Sequence, residues 1–158
     1  MPAPGLILTY GNPSRGDDAL GTAIFEMLEN YKRETGQLEQ VDLLTDFQLQ
    51  IEHAVDLNDR RYVLFVDASV SCREPFEYQT LKAEKDDSFT THAMSPASVL
   101  SVFRQINHRD PPPAFLLTIR AYEFGLGKFM SKKATANLQD AYQFLIDLIL
   151  ENNIPEPA

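Results

Sequence analysis

The sequence predicts an α/β fold, a three-layer sandwich whose five-stranded mixed sheet lies between helices on both faces. Two observations predict it: short apolar runs alternate with segments whose apolar residues recur at helical spacing, and one run, residues 62–66, is continuous and rich in β-branched and aromatic residues, as in a strand buried on both faces. The length of 158 residues suits one domain with a substantial core, so we predict a single domain over residues 1–158.

The first half of the chain predicts two strands, each followed by a helix. Residues 6–10 are a short apolar run that predicts a buried strand. Helical spacing of apolar residues then predicts a helix over residues 18–33, which Gly36 would end. Residues 38–44 predict a second strand, after which Asp46 is placed as the N-cap of a short helix.

The middle of the chain predicts the one antiparallel strand of the sheet. Residues 61–67 form the clearest strand, and residues 77–83 predict the next one. The connection between them is too short for the crossover of about a dozen residues that parallel strands need, so the second should run antiparallel. A polar loop, residues 84–94, follows it.

The last part of the chain predicts a return to parallel strands. Ser95-Pro96 gives an N-cap followed by proline at the first helical position. The helix after it leads to a last strand over residues 114–119, a loop over residues 120–131, and a final helix. Residues 152–158 are polar and contain proline, which predicts a frayed tail.

Composition excludes some classes of partner. The formal net charge of −9 and the pI of about 4.7 disfavour binding to nucleic acid or to anionic membrane surfaces. No apolar run approaches the roughly 20 residues that a membrane span needs, and no signal peptide is recognisable. Cys72 is the single cysteine and cannot form an internal disulfide, which is typical of a reducing compartment. We therefore expect a cytoplasmic protein, acting as a monomer.

Several polar groups should meet at one edge of the sheet. In doubly wound α/β sheets, functional sites lie beyond the carboxyl ends of the parallel strands, here called the carboxyl edge. The loop before His92 is long enough to return that residue to this edge from the antiparallel strand. The groups that the topology gathers there are Asp17, Asp18, Asp46, Asp67, His92 and Glu123.

Plainer interpretations exist for these residues and their neighbours. Asp18 could be only an acid at a helix N-terminus, and Asp46 only an N-cap. Asp67 closes an apolar strand, where an acid is costly to desolvate unless something pairs with it. His53 and His108 fit structural or surface roles, and the loop thiol of Cys72 has no basic neighbour in sequence to activate it.

Carboxylates together with a neutral imidazole suit a divalent transition metal such as nickel or zinc. A magnesium site for phosphoryl transfer at Asp17-Asp18 is an alternative. It lacks the phosphate-binding loop and lysine that usually accompany such a site. Serine-hydrolase, zincin and P-loop motifs are also missing from the sequence.

The stretch from Gly11 to Gly21, GNPSRGDDALG, resembles the N-terminal signature of the maturation endopeptidases of [NiFe]-hydrogenases. The resemblance extends to Asp46, to the strand end at Asp67, to Thr91-His92 and to the segment YEFGLG that begins at Tyr122. The first motif and the Tyr-Glu-Phe segment are most similar to the type that serves bidirectional, NAD(P)-linked hydrogenases.

The resemblance implies a fold, an activity and a substrate. The fold would be the phosphorylase/hydrolase-like α/β/α sandwich. The activity would be endopeptidase removal of the C-terminal extension from the hydrogenase large-subunit precursor, after nickel has been inserted. Nickel would come with the precursor and not be held permanently, and no organic cofactor is implied. A non-proteolytic, nickel-binding assembly factor for the same hydrogenase subunit is the alternative.

The resemblance also assigns the residues. Asp18, Asp67 and His92 correspond to the metal-contact positions, with Asp18 standing where relatives commonly carry glutamate. Asp17 and Asp46 are expected to orient the substrate tail or to move protons. The backbone at the substrate-binding positions should let the tail come close, and these positions are Gly11, Asn12, Gly16 and Glu123.

Overall fold

Five strands and three α-helices build the fold in the computed structural model, which describes residues 2–84, 94–151 and 154. The strands are β1 (Gly5–Tyr10), β2 (Val41–Asp46), β3 (Tyr62–Ser69), β4 (Phe76–Leu81) and β5 (Ala114–Arg120). The α-helices are α1 (Leu20–Thr35), α2 (Pro96–Asn107) and α3 (Lys132–Leu150). Two 3-10 helices, Gly16–Ala19 and Ile51–Leu57, lie in the connections after β1 and β2.

The strands form one mixed sheet in the order β2-β1-β3-β5-β4. Every neighbouring pair is parallel except β4 and β5, which run antiparallel. The predicted five-stranded sheet with one antiparallel strand is confirmed. The short connection between β3 and β4 explains the reversal, because it leaves no room for a crossover to the same end of the sheet.

Apolar side chains cover both faces of the sheet. On one face Ile7 and Leu64 pack with residues of α1 and α3. On the other face Leu8 and Phe65 pack with residues of α2 and of the 3-10 helix Ile51–Leu57. Because successive strand residues point to opposite faces, each central strand contributes to both cores. This gives the three-layer α/β/α sandwich that the sequence predicts.

Helix α1 packs tightly against β1. Its buried side chains Leu20, Ile24 and Leu28 recur at helical spacing, as predicted. Gly21 also faces the strand: a Cβ built on it would lie 2.2 Å from the Tyr10 carbonyl oxygen. Gly36 ends the helix in the left-handed conformation, with φ of 69°, which confirms its predicted role.

The predicted boundaries of β2 are wrong at both ends. The prediction for residues 38–44 included Leu38, whose φ of 65° places it in a left-handed turn before the strand. The strand continues to Asp46, because β1 offers it a full set of parallel partners ending at Tyr10. Asp46 is therefore the last strand residue. Its interpretation as a helix N-cap is wrong, since Gln50 precedes the 3-10 helix.

The second half of the chain follows the prediction with small shifts. Strand β4 covers residues 76–81, where residues 77–83 were expected. Ser95 caps α2 as predicted: its hydroxyl oxygen accepts a hydrogen bond of 3.1 Å from the amide of Ser98. His92 and most of the predicted tail, residues 152–158, lie outside the described residues.

Among the helices of the described residues, none is both long and apolar enough to cross a membrane.

Candidate functional site

Residues of three neighbouring strands lie side by side at the carboxyl edge of the sheet. Asp67 was predicted to end its strand, but β3 continues to Ser69 because β5 pairs with these last residues. Tyr10 at the end of β1 pairs in register with Asp46 at the end of β2. The register of β1 with β3 brings Asp67 next to Tyr10 on the other side. Two acids that are 21 residues apart in sequence thus flank one tyrosine, as the predicted topology requires.

The turn after β1 adds Asp18 to this edge. Gly11 has a φ of 149°, and a Cβ built there would lie 2.2 Å from the Asp18 carbonyl oxygen, so only glycine permits this close approach. The Gly11 amide donates to the Asp46 carbonyl oxygen over 3.1 Å. The next amide, that of Asn12, donates to Asp18 Oδ2 over 2.8 Å. The turn therefore ties β2 to Asp18 and fixes the carboxylate of Asp18.

Asp67 is the acid with the most perturbed ionisation at this edge. Burial raises its pKa to about 6, and the nearby charge of Asp18 adds to the increase. Hydrogen bonds from the Tyr10 hydroxyl and the Ala68 amide favour the ionised form and oppose this increase. Burial also raises the pKa of Tyr10, with the charge of Asp67 as the next cause, so Tyr10 stays protonated as a donor.

The Asp18–Asp67 pair has the electrostatic character of a cation site. The charge of Asp18 makes ionisation of Asp67 more costly, and a cation close to both carboxylates would offset this cost. Within residues 2–84, 94–151 and 154, no group of three His, Cys, Asp or Glu side chains is placed to hold a metal ion. The predicted third ligand, His92, lies outside these ranges, so the set Asp18, Asp67 and His92 stays a prediction.

Asp46 forms a pair with His53. The Nε2 atom of His53 lies 3.2 Å from Asp46 Oδ2, and the Asp46 Oδ1 atom accepts the amide of Phe47 over 2.7 Å. The Gln50 amide donates a hydrogen bond to His53 Nδ1 over 2.8 Å, so Nδ1 is an acceptor. The ring proton is therefore on Nε2, which faces the Asp46 carboxylate. The structural role expected for His53 is thereby specified: it orients the carboxylate of Asp46.

Asp17 points away from the edge and into the protein. Its side chain is fully buried, and its carboxylate accepts hydrogen bonds from the amides of Tyr122, Glu123 and Ser131 and from the Ser131 hydroxyl, at 2.6–3.0 Å. Burial raises the pKa of Asp17, but these hydrogen bonds together lower it by more, so its pKa lies below the usual value.

These contacts give Asp17 a structural task. It fixes the segment of residues 121–131, which we call the anchored loop, to the turn after β1. Ser131 is also the N-cap of α3, so the same contacts set where that helix begins. The catalytic assignment of Asp17 stays a prediction.

Gly16 and Glu123 meet at the same junction. The Asp17 amide donates to the Glu123 carbonyl oxygen over 2.6 Å. Gly16 has a φ of 56°, and a Cβ on it would lie 2.6 Å from that carbonyl oxygen, so the anchored loop needs glycine here. The side chain of Glu123 is exposed. Substrate binding by Gly11, Asn12, Gly16 and Glu123 stays a prediction.

Three contributors to the site were not among the predicted site residues: Tyr10, His53 and Ser131. Tyr10 was visible as the last residue of a strand that ends at the carboxyl edge. No local pattern reveals His53 or Ser131, because their partners lie 7 and 114 residues away in the chain. Only folding brings these groups into contact.

The comparisons with known proteins identify the fold. No protein-family model matches the chain, and no curated protein matches it significantly. Among solved structures, it is similar to the [NiFe] hydrogenase maturation protease HycI from Thermococcus kodakarensis KOD1, with 20% identity, 91% of this chain and 90% of that chain covered, and a TM-score of 0.68.

Two further structures match over a similar extent. The hydrogenase maturating endopeptidase HybD from E. coli is 23% identical, with 96% of this chain and 94% of that chain covered and a TM-score of 0.68. The [NiFe] hydrogenase maturation protease HybD from Thermococcus kodakarensis is 18% identical, with 94% and 99% covered and a TM-score of 0.66. The chain therefore has the fold of the hydrogenase maturation proteases.

Proposed function

We propose that the chain is an endopeptidase that removes the C-terminal extension of a [NiFe]-hydrogenase large-subunit precursor. The observation that carries the proposal is the Asp18–Asp67 pair at the carboxyl edge of a fold shared with [NiFe] hydrogenase maturation proteases. The sequence signature around these two acids supports the same activity. The precursor of a bidirectional, NAD(P)-linked hydrogenase is the proposed substrate, and the cytoplasm is the proposed place of action.

In this proposal the precursor brings the nickel ion. Asp18 and Asp67, together with His92, would contact the nickel that the precursor already holds, so that only a loaded precursor is accepted. The pair suits this task because both carboxylates are partly desolvated and close enough to repel one another. A divalent ion polarises a carbonyl group or activates water, which is the chemistry that peptide hydrolysis requires.

The remaining groups at the edge would orient the substrate. Asp46 is held by His53 and by the Phe47 amide and faces the same edge as Asp67, where it would orient the tail or accept a proton from water. In hydrolysis, the oxygen of water bonds to the scissile carbonyl carbon, the carbon–nitrogen bond breaks, and one proton reaches the leaving amine.

The test is cleavage of the purified precursor, with and without nickel, followed by intact mass. We expect the loaded precursor to lose the mass of its extension and the nickel-free one to stay intact. Asp18→Ala, Asp67→Ala and His92→Ala should each lower the rate at least about tenfold, since each removes a proposed metal contact. Asp140→Ala, on an exposed position of α3, is the matched control.

Three outcomes would count against the proposal in different ways. Equal cleavage of both precursors would reject nickel recognition. Full activity of the three variants would remove those residues from the site. Stable binding of loaded precursor without any change in its mass would instead support the alternative, a non-proteolytic nickel-binding assembly factor.

A further inference from the structure

The anchored loop exposes two large apolar side chains. Phe129 is 93% exposed, the highest value among the large apolar side chains of the described residues, and Leu126 is 76% exposed. Exposing such side chains to water is unfavourable, and neighbouring exposed apolar groups often mark a surface that binds another molecule. Nothing in the core of this protein requires either side chain.

The backbone that carries them is well fixed. The Gly127 amide donates to the Ser14 carbonyl oxygen over 2.7 Å, and the Gly16 amide donates to the Lys128 carbonyl oxygen over 3.1 Å. The Lys128 amide closes a turn onto the Gly125 carbonyl oxygen. With the contacts of Asp17, these bonds hold the loop at both ends and in its middle. A fixed backbone lowers the entropy lost when the exposed side chains bind a partner.

Three lysines and one acid, Glu123, lie in residues 121–133, so this region is basic although the protein as a whole is acidic. Lys128, Lys132 and Lys133 are all exposed, and no carboxylate of the described residues lies within salt-bridge distance of them. Lys133 is placed over the ring of Tyr122, 5.5 Å from its centroid. Against a net charge of −9, three lysines with no acidic partner among the described residues form a local positive surface.

The position of the loop connects this surface to the candidate site. The loop bonds to Ser14, in the same turn whose Asn12 amide holds Asp18, so a chain seated on the loop would pass close to the carboxyl edge. We infer that the anchored loop is a docking surface for a segment of the protein substrate that carries both apolar and acidic side chains. The inference rests on the proposed function, because it takes the substrate to be a protein.

Charge complementarity selects this occupant. A second copy of this chain carries the same net charge of −9, so two copies repel one another as whole molecules. A substrate segment with apolar groups would bury Leu126 and Phe129, and its carboxylates would pair with the lysines. Such pairing speeds association and weakens as salt is added.

The test compares two double variants with matched controls. Leu126→Ala/Phe129→Ala removes the apolar groups, and its control is Ile106→Ala, an exposed apolar position on α2. Lys128→Glu/Lys132→Glu reverses the charge, and its control is Lys82→Glu, another exposed lysine. The measurements are the dissociation constant for the purified large-subunit precursor at two salt concentrations, the KM and kcat for cleavage, and the melting temperature.

We expect both double variants to raise the dissociation constant and KM at least about tenfold, with kcat and melting temperature close to those of the wild type. The wild type should also bind more weakly at high salt, and the charge variant should lose this salt dependence. The two controls should behave like the wild type.

Unchanged binding by both double variants, with a wild type that cleaves, would reject the docking surface and leave the proposed function in place. A wild type that binds but never cleaves would reject the proposed function, while the binding measurements still decide the docking surface. A wild-type dimer that Leu126→Ala/Phe129→Ala converts to a monomer in light scattering would show that a second copy occupies the loop, which overturns the inference.

Discussion

Two adjacent aspartates have opposite tasks in this protein. Asp17 is fully buried and holds the anchored loop, whereas Asp18 is partly exposed and contributes charge at the carboxyl edge. The short 3-10 helix Gly16–Ala19 separates them, because successive residues of a helix point in different directions. Substitutions at the two positions should therefore affect different properties, stability for Asp17 and activity for Asp18.

Asp17→Asn should destabilise the fold by about 2 to 5 kcal/mol. The amide keeps one acceptor oxygen but turns a donating NH2 group toward donors from Tyr122, Glu123 and Ser131. Urea unfolding of the variant gives the loss, with Asp140→Asn on the exposed side of α3 as control. If both variants have the same unfolding midpoint in urea as the wild type, the structural role of Asp17 is contradicted.

The contribution of Asp17 should also depend on pH. Its pKa in the folded protein is lower than the usual value of 3.8, so the stability it provides is complete above about pH 4 and is lost as pH falls through the lowered pKa. The difference in unfolding free energy between the wild type and Asp17→Asn should be constant near neutral pH and shrink below about pH 4. A difference that stays the same down to pH 2 would contradict this.

Asp67 should show the opposite pH dependence. Its pKa is raised to about 6, so ionising Asp67 lowers the stability of the folded protein. This loss of stability is absent below about pH 4, grows between pH 4 and 6, and is complete above about pH 6. Asp67→Asn avoids this cost and should be more stable than the wild type at pH 7.5 by up to about 3 kcal/mol, but not at pH 4.

Urea unfolding at both pH values measures the effect of Asp67→Asn, and carboxyl NMR titration of the wild type should find the Asp67 pKa near 6. Asp18→Asn should lower that pKa, because the charge of Asp18 contributes to the increase. An Asp67 pKa near 4 in the wild type would show that burial does not perturb this group.

At the scale of the elements, the contact of α1 with β1 places the turn that carries Asp17 and Asp18. Gly21 lets the helix lie against the Tyr10 carbonyl oxygen. Gly36 ends the same helix with a φ of 69°, and a Cβ built on it would have no atom within 4 Å. The two glycines therefore separate the effect of a steric contact from the effect of backbone conformation.

Gly21→Ala should destabilise the protein by about 2 kcal/mol or more, since the new methyl group would lie 2.2 Å from a backbone oxygen. Gly36→Ala should cost about 1 kcal/mol, the strain of a left-handed conformation without a clash. Urea unfolding ranks the two. If Gly21→Ala is as stable as Gly36→Ala, then α1 does not rest on β1 as described.

At the scale of the whole molecule, charge is unevenly distributed. The chain has a net charge of −9, and Asp18, Asp46 and Asp67 gather at the carboxyl edge. Lys128 lies in the anchored loop, and Lys132 and Lys133 follow it at the start of α3. An acidic edge would attract a cation, and the lysines would attract an acidic segment. Both surfaces match the proposed substrate, a precursor protein that carries a metal ion.

The negative charge also favours a monomer. Two copies repel one another at low ionic strength, and both faces of the sheet are covered within one chain. Light scattering at low salt should give a mass near 17.9 kDa for the isolated protein. A mass near twice this value would contradict the prediction.

The sequence by itself determined the sheet and the edge at which the candidate acids gather. Apolar periodicity is a local property, and it located all five strands and the three α-helices. The length of the β3–β4 connection was enough to predict the antiparallel strand. From these, the meeting of Asp46 and Asp67 beside the end of β1 followed without any knowledge of side-chain contacts.

Only the tertiary structure decided which groups each acid contacts. The strand register carried β2 on to Asp46, where local sequence favoured a helix cap, and placed His53 beside it. Asp17 and Asp18 are equivalent in sequence, and they separate because Asp17 bonds to residues more than 100 positions away. Local patterns carry no information on such partners, since the energy of these contacts exists only after the distant segments have packed.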